Sequence, residues 1–378
     1  MKLYVAVSAA LAMMLFSLEA LAAGTIRIGA LFSVTGPASF LGDPEKKTLE
    51  MMVKEANAKG GIKGSKIELF IEDTQGDATK AVQLAVKLIK NDKVVAIIGP
   101  SITGDTMAII PIVEKEQIPL ISCAAGVKIT EPVKKWVFKT PANDHLVGEK
   151  LLDYLAAKKQ MNVALLTVSD AYGQSGREQL KLLAAKKGFT IVADEVYSPK
   201  DTDMTAQLTK IKGTKAEAII CWGTNPGPAV VTRNVRQLGV KIPLYQSHGV
   251  ASKKYIELAG DAAEGVTLPA GKLTVYDKLP KSNPQVKLLS AYDQDYRKNY
   301  GVEASTFGGY AYDAFELISE AIRKSGATPE QIRNGIEQVK KLVGVSGIFT
   351  MSPTDHNGLD LSAFEMVKIV KGDWEPAK

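Results

Sequence analysis

The sequence predicts an α/β fold made of two consecutive blocks of parallel sheet, each covered by helices on both faces. Three observations lead there. Strand-like and helix-like segments alternate from Thr25 to about residue 270, the order that parallel strands joined by crossover helices require. Several strands are unbroken apolar runs, as expected of strands buried on both faces. The roughly 355 residues that follow an N-terminal leader exceed the size, about 250 to 300 residues, at which single cores stop growing, so two domains are expected.

The leader comes first. Leu3 to Leu18 is an apolar run of 16 residues behind Met1-Lys2, and Ala20-Leu21-Ala22 has the small-x-small form of a cleavage site. Residues 1–22 therefore read as a secretory signal peptide, with the mature chain starting near Ala23. The run falls short of the roughly 20 residues needed to span a bilayer, and no cysteine near the cut invites a lipid anchor.

The first block, about 25–140, carries the strands IRIGALF (26–32), KIELFIED (66–73), VVAIIGP (94–100), PLISCAA (119–125) and WVFKT (136–140). The second, about 141–270, carries NVALLTVS (162–169), TIVADEVY (190–197), AEAIICWG (216–223), PLYQSH (243–248) and GVTLPA (265–270). Helical periods run between them at 49–61, 78–92, 177–188 and 229–239, three of the four closed by glycine. After Thr274 the rhythm changes. Helices are expected at 282–300, 309–325 and 329–341, then a turn-rich stretch at 344–360 and an alternating strand at 363–374 with a turn at Lys371-Gly372-Asp373.

Composition excludes several functions. The net charge is only +6 and the lysines are scattered over helical faces, which gives no footprint for nucleic acid. Cys123 and Cys221 lie far apart with no CxxC, so two buried free thiols are expected. No GxSxG elbow is present, and His145, His248 and His356 lack metal-ligand spacing. Neither catalysis, a metal nor a cofactor is expected.

Parallel sheets bind ligands beyond the carboxyl ends of their strands, so the loops there are the candidate binding sites. GPSITGDT (99–106) follows an apolar strand and opens a helix, but Asp105 stands where a phosphate-binding loop needs lysine. A single carboxylate held by Ser101, Thr103 and backbone amides fits better; a simple helix cap uses the same residues. SCAAG (122–126) is built of small residues that let the backbone approach a ligand. The loops SDAYGQSG (169–176), WGTNPGP (222–228) and QSHG (246–249) offer Tyr172, Thr224, Asn225 and His248 in the second block. Trp222 reads as core or pocket wall.

Taken together, ANAKGGIKG (56–64), GPSITGDT and SDAYGQSG in an exported chain of two αβ blocks resemble the periplasmic leucine/isoleucine/valine-binding proteins. These are the solute receptors of ABC transporters. The resemblance implies two Rossmann-like lobes of the type I periplasmic binding protein fold, joined by three crossovers near Thr140, near Ala270 and around Phe349–Pro353. Lobe 1 then holds 23–140 and 271–349, and lobe 2 holds 141–270 and 350–378. It implies a monomer in the periplasm that passes its solute to an inner-membrane permease with its ATPase, or, as the alternative, a sensor that reports to a signalling partner. Carried over by position, Thr103 is the carboxylate-binding hydroxyl, Ala124, Ala125 and Gly126 the small-residue loop, and Tyr172 the tyrosine of the second lobe. Phe307 in TFGGY closes over the solute and Leu41 in SFLGD forms pocket wall.

Three positions depart from that pattern. Gly126 replaces a hydroxyl residue, Thr224 replaces a second tyrosine, and His248 stands where the relatives place the acid that pairs with the solute's ammonium. A desolvated ammonium needs a negative partner. The departures therefore suggest a solute that keeps a carboxylate and lacks the α-amino group: an aromatic acid, a short branched or hydroxy acid, or a dicarboxylate, with His248 donating to its second polar group. The alternative is an ordinary amino-acid receptor in which Asp170 or a water supplies the acceptor.

Overall fold

The computed structural model describes residues 24–377; the expected signal peptide, 1–22, lies outside the described residues. Five strands, β1 (Ile26–Phe32), β2 (Ile67–Asp73), β3 (Ala96–Ile98), β4 (Leu120–Ser122) and β5 (Val137–Lys139), form a wholly parallel sheet in the order β2-β1-β3-β4-β5. A second sheet has β6 (Asn162–Val168), β7 (Thr190–Tyr197), β8 (Ala218–Trp222), β9 (Leu244–Gln246) and β10 (Thr267–Gly271) in parallel. After the small hairpin β11 (Leu342–Val343) and β12 (Ile348–Phe349), the chain returns to its edge with antiparallel β13 (Phe364–Val370) and β14 (Asp373–Pro376), giving the order β14-β13-β10-β9-β8-β6-β7. Two blocks of mostly parallel sheet are thus what the alternating sequence builds.

The helices are α1 (Ser39–Ala58), α2 (Ala78–Lys90), α3 (Thr103–Glu116), α4 (Asp144–Ala157), α5 (Ala171–Lys187) and α6 (Thr205–Lys212). They continue with α7 (Gly227–Gln237), α8 (Lys253–Ala259), α9 (Val286–Tyr300), α10 (Thr306–Ser325) and α11 (Pro329–Glu337). Local chemistry fixes many ends: Asp77 caps α2 by accepting from Lys80 N–H, Asp170 caps α5 through Gly173 N–H, and Thr328 with Gln331 forms a capping box on α11. No described helix is long and apolar enough to cross a membrane.

Two boundary readings need correction. The first helix begins at Ser39 and not at 49, with Pro44 inside it. Pro44 reads as a breaker because it lacks an N–H. Yet Leu41, Glu45, Thr48, Leu49 and Met52 make one buried stripe straight through it, and burial of that face against the core outweighs one lost bond. Conversely, the runs at 94–100, 119–125 and 136–140 yield only three paired residues each. Their flanks, such as Val94 and Cys123, are buried but lie outside the ladder, so apolarity marked the interior and not the pairing. Both cysteines are free and buried.

The chain passes between the sheets after β5, after β10 and between β12 and β13. The first and third passages are laced together. Asn357 donates to the carbonyls of Lys139 (3.3 Å) and Pro141 (2.8 Å) and accepts from Asn143 N–H (3.1 Å), while His356 stacks on Phe138 with ring centroids 4.1 Å apart. The loops beyond the strands then meet across the gap. Val127 N–H, after β4, donates to Ser175 of α5 at 3.0 Å, and the Thr306 hydroxyl of α10 donates to the Ala251 carbonyl, after β9, at 2.9 Å. These bonds hold the two halves face to face.

Candidate functional site

From the first sheet, the site is mainly backbone. Thr103 is the first residue of α3, and its side chain lies against Gly126: a Cβ on Gly126 would stand 2.5 Å from the Thr103 methyl carbon. Glycine is therefore the residue that fits there, and the hydroxyl missing at 126 has its place taken by the side chain of Thr103. Among the described residues, no acceptor meets the N–H of Ala125 or Gly126. With the open N-terminus of α3 beside them, these amides form a ready anion cradle. Ala124 is buried behind it.

Ser101 turns the other way. Its hydroxyl donates to Glu45 and accepts from Ser33 N–H at 3.0 Å, so both roles are engaged inside the lobe. Burial pushes the Glu45 carboxyl well above the usual range and Asp105 up to about 6. Leu41 and Phe307 are both buried, and Phe307 meets Phe40 edge-on at 5.5 Å and Tyr310 at 6.1 Å.

From the second sheet, the site is a chain of side chains. The Tyr172 hydroxyl lies 3.2 Å from Ser247 Oγ and 3.3 Å from His248 Nδ1, and Ser247 Oγ lies 3.2 Å from the Gly223 carbonyl. The His248 ring is 3% exposed, edge-on to Tyr172, Trp222 and Phe364 with centroids 5.9 to 6.2 Å away. Burial, with the nearby Lys139 ammonium as a lesser cause, pushes its pKa down to about 3, so it is neutral near pH 7. Trp222 is core: it has no exposed surface, and a Cβ on Gly176 would stand 2.2 Å from its indole. Thr224 is half-buried, whereas the neighbouring Asn225 buries both amide atoms without a partner among the described residues. Asp170 is occupied as the cap of α5.

Sequence reasoning passed over three residues that tie the halves together. Lys139, at the end of β5, has no exposed surface and donates from Nζ to the carbonyls of Ala125 and, at 3.3 Å, Gly126. Asp144, at the start of α4, accepts from the Ser175 hydroxyl at 2.5 Å, and Ser175 in turn accepts from Val127 N–H. Burial pushes the Lys139 ammonium down and the Asp144 carboxyl up, each opposed by the other's charge. The signal was available: a lysine inside WVFKT, an otherwise apolar run, is a buried charge that needs a partner.

A cavity of about 980 Å³ lies to one side. Phe40, Ser305 and Thr306 line it from one half and Ala251, Ser252 and Trp374 from the other. Thr103, Gly126, Tyr172 and His248 are not among its walls. It is an outer vestibule beside the Thr306–Ala251 bond, and the anion cradle lies elsewhere, under the facing loops.

Comparison with known proteins agrees with this architecture. Residues 25–372 match the model of a family described as periplasmic binding protein. The chain is 27% identical to Leu/Ile/Val-binding protein homolog 3 of Brucella melitensis, over 93% of this chain and 92% of that one. An extracellular ligand-binding receptor from Rhodopseudomonas palustris HaA2 superposes with a TM-score of 0.87 at 30% identity, covering 93% of this chain and 99% of that one. The branched-chain amino acid transporter substrate-binding protein LivJ from Streptococcus pneumoniae, solved with isoleucine, superposes at 0.82 with 26% identity over 94% and 99%. The chain therefore belongs to the periplasmic binding protein family, with its type I fold of two αβ lobes.

Proposed function

We propose that this protein is the periplasmic receptor of an ABC transporter, capturing a small carboxylate-bearing solute between its lobes and presenting it to an inner-membrane permease with its ATPase. The observation that carries the reading is the cradle at Thr103, Ala125 and Gly126, where unmet amides and a helix N-terminus converge. The relatives named for leucine, isoleucine and valine support a small carboxylate solute of amino-acid type. In this reading the lobes are 23–140 with 271–349 and 141–270 with 350–378. The solute docks first on the cradle, and closure brings Tyr172, Thr224 and His248 over it and excludes water.

A second reading of the solute rests on His248. His248 is neutral and Asp170 is engaged in capping; Asp144 keeps one unpartnered oxygen, but its charge is already opposed by the buried Lys139 ammonium. This favours an organic acid over an amino acid. Thermal-shift and calorimetric titration of the purified mature protein with leucine, valine and a panel of aliphatic and aromatic acids separates the two. Stabilisation by acids and not by leucine is the expected outcome. Stabilisation by leucine or valine alone returns the receptor to the amino-acid class, and indifference to every carboxylate removes the proposal itself.

A further inference from the structure

The proton positions around His248 are fixed by the groups it touches. Ser247 Oγ lies 3.2 Å from the Gly223 carbonyl, and a carbonyl has no proton to give, so the serine donates. The same oxygen accepts from Gly223 N–H at 3.4 Å. With the serine proton already committed, the contact between Tyr172 and Ser247 at 3.2 Å needs the phenol to donate. The tyrosine oxygen then has only lone pairs to offer His248 Nδ1 at 3.3 Å, so Nδ1 carries the hydrogen. In a neutral imidazole the other nitrogen, Nε2, is then a bare acceptor. Among the described residues no hydrogen bond reaches it, and it is not one of the sealed, partnerless polar atoms.

We infer that the solute's second polar group is an uncharged hydrogen-bond donor, a hydroxyl, and that His248 Nε2 accepts from it. This deepens, and rests on, the reading of the cleft as a carboxylate receptor. An oxo group or a second carboxylate sets lone pair against lone pair at Nε2, which reverses the donor role expected of His248 from sequence. An ammonium does donate, but the buried charge that reaches the imidazole is the cation of Lys139. Of the nearby carboxylates, Asp170 is engaged by Gly173 N–H at 2.8 Å; Asp144 accepts from Ser175 through Oδ2 and keeps Oδ1 unpartnered, but the Lys139 charge already stands opposite it. A hydroxy acid satisfies both ends of the cleft without importing a second charge.

Two measurements on the mature protein test this. Long-range proton–nitrogen NMR of uniformly 15N-labelled protein reports the tautomer of each of its three histidines, with His248 assigned by the signal lost in His248→Gln. A proton on Nδ1 and a bare Nε2 are expected; a proton on Nε2 overturns the inference whatever the ligand. Calorimetry then compares members of one skeleton: 4-methylpentanoate, its 2-hydroxy and 2-oxo derivatives, and leucine, with benzoate and 4-hydroxybenzoate as an aromatic pair. In the skeleton that binds, the hydroxy acid is expected to be about tenfold tighter than its oxo or unsubstituted partner. His248→Leu is expected to abolish that preference. Equal binding of the three acids, or leucine the tightest of all, overturns the hydroxyl while leaving a carboxylate receptor. Failure of every carboxylate to bind removes the receptor reading instead.

Discussion

The two faces of the cleft are built from different materials. On the first lobe, Ala125, Gly126 and the start of α3 offer backbone amides, with Thr103 seated on a glycine that leaves no room for a Cβ. On the second, Tyr172, Ser247 and His248 form a directed chain of side-chain hydrogen bonds. Backbone amides read a carboxylate, which every candidate solute shares. Side chains held by one another read what differs between solutes, because each proton position is set by its neighbour. On the proposed reading, affinity for the common group and choice among solutes therefore sit on opposite lobes.

The largest effect is expected where the faces join. Asp144→Ala removes the carboxylate that most strongly supports the fully buried Lys139 charge, ahead of Glu131 and Asp355, and leaves the Ser175 hydroxyl without its acceptor, a loss of about 2 to 3 kcal/mol. Urea unfolding of the variant should show that loss, and replacing both residues (Lys139→Met with Asp144→Leu) should recover most of it. A single variant as stable as the parent would mean that the two charges do not depend on each other. Next comes the backbone face. Gly126→Val forces a side chain into the Thr103 methyl, an overpacking that costs about 1 to 3 kcal/mol. Solute affinity should fall by up to about a hundredfold, by the same factor for every carboxylate that binds. A change in the ranking of solutes would show that this face also discriminates.

The difference between the faces also explains what was legible in the sequence. Alternating strands and helices gave the two sheets, and the positions after strands pointed to Thr103, Gly126, Tyr172 and His248, because strand ends are visible as the end of an apolar run. The start of α1 was hidden by Pro44, whose meaning depends on a buried stripe that only packing reveals. Ser101 looked like a ligand hydroxyl because its partner Glu45 is 56 residues away in sequence. The cluster of Lys139, Asp144 and Ser175 was equally invisible as a unit: each residue is ordinary alone, and only the tertiary fold brings Val127 N–H to Ser175.

The smallest effect concerns the side-chain face, and its sign follows from burial. The His248 pKa is depressed from the ordinary 6.5 to about 3, so below pH 6.5 the unfolded chain takes up a proton that the folded chain refuses. Stability from this group is complete above about pH 6.5 and is lost as the pH falls toward 3. Between about pH 6.5 and 5.5 the loss should be about 1 kcal/mol. His145, also held down mainly by burial, acts with the same sign, so the parent must be compared with His248→Gln at each pH. Urea melts should show the stability gap between the two proteins narrowing by about 1 kcal/mol over that interval as the parent alone loses the His248 contribution. A gap that stays constant would mean that the imidazole accepts its proton inside the fold. The second face would then carry a cation below about pH 6.5, where a bare Nε2 could no longer be what selects the solute.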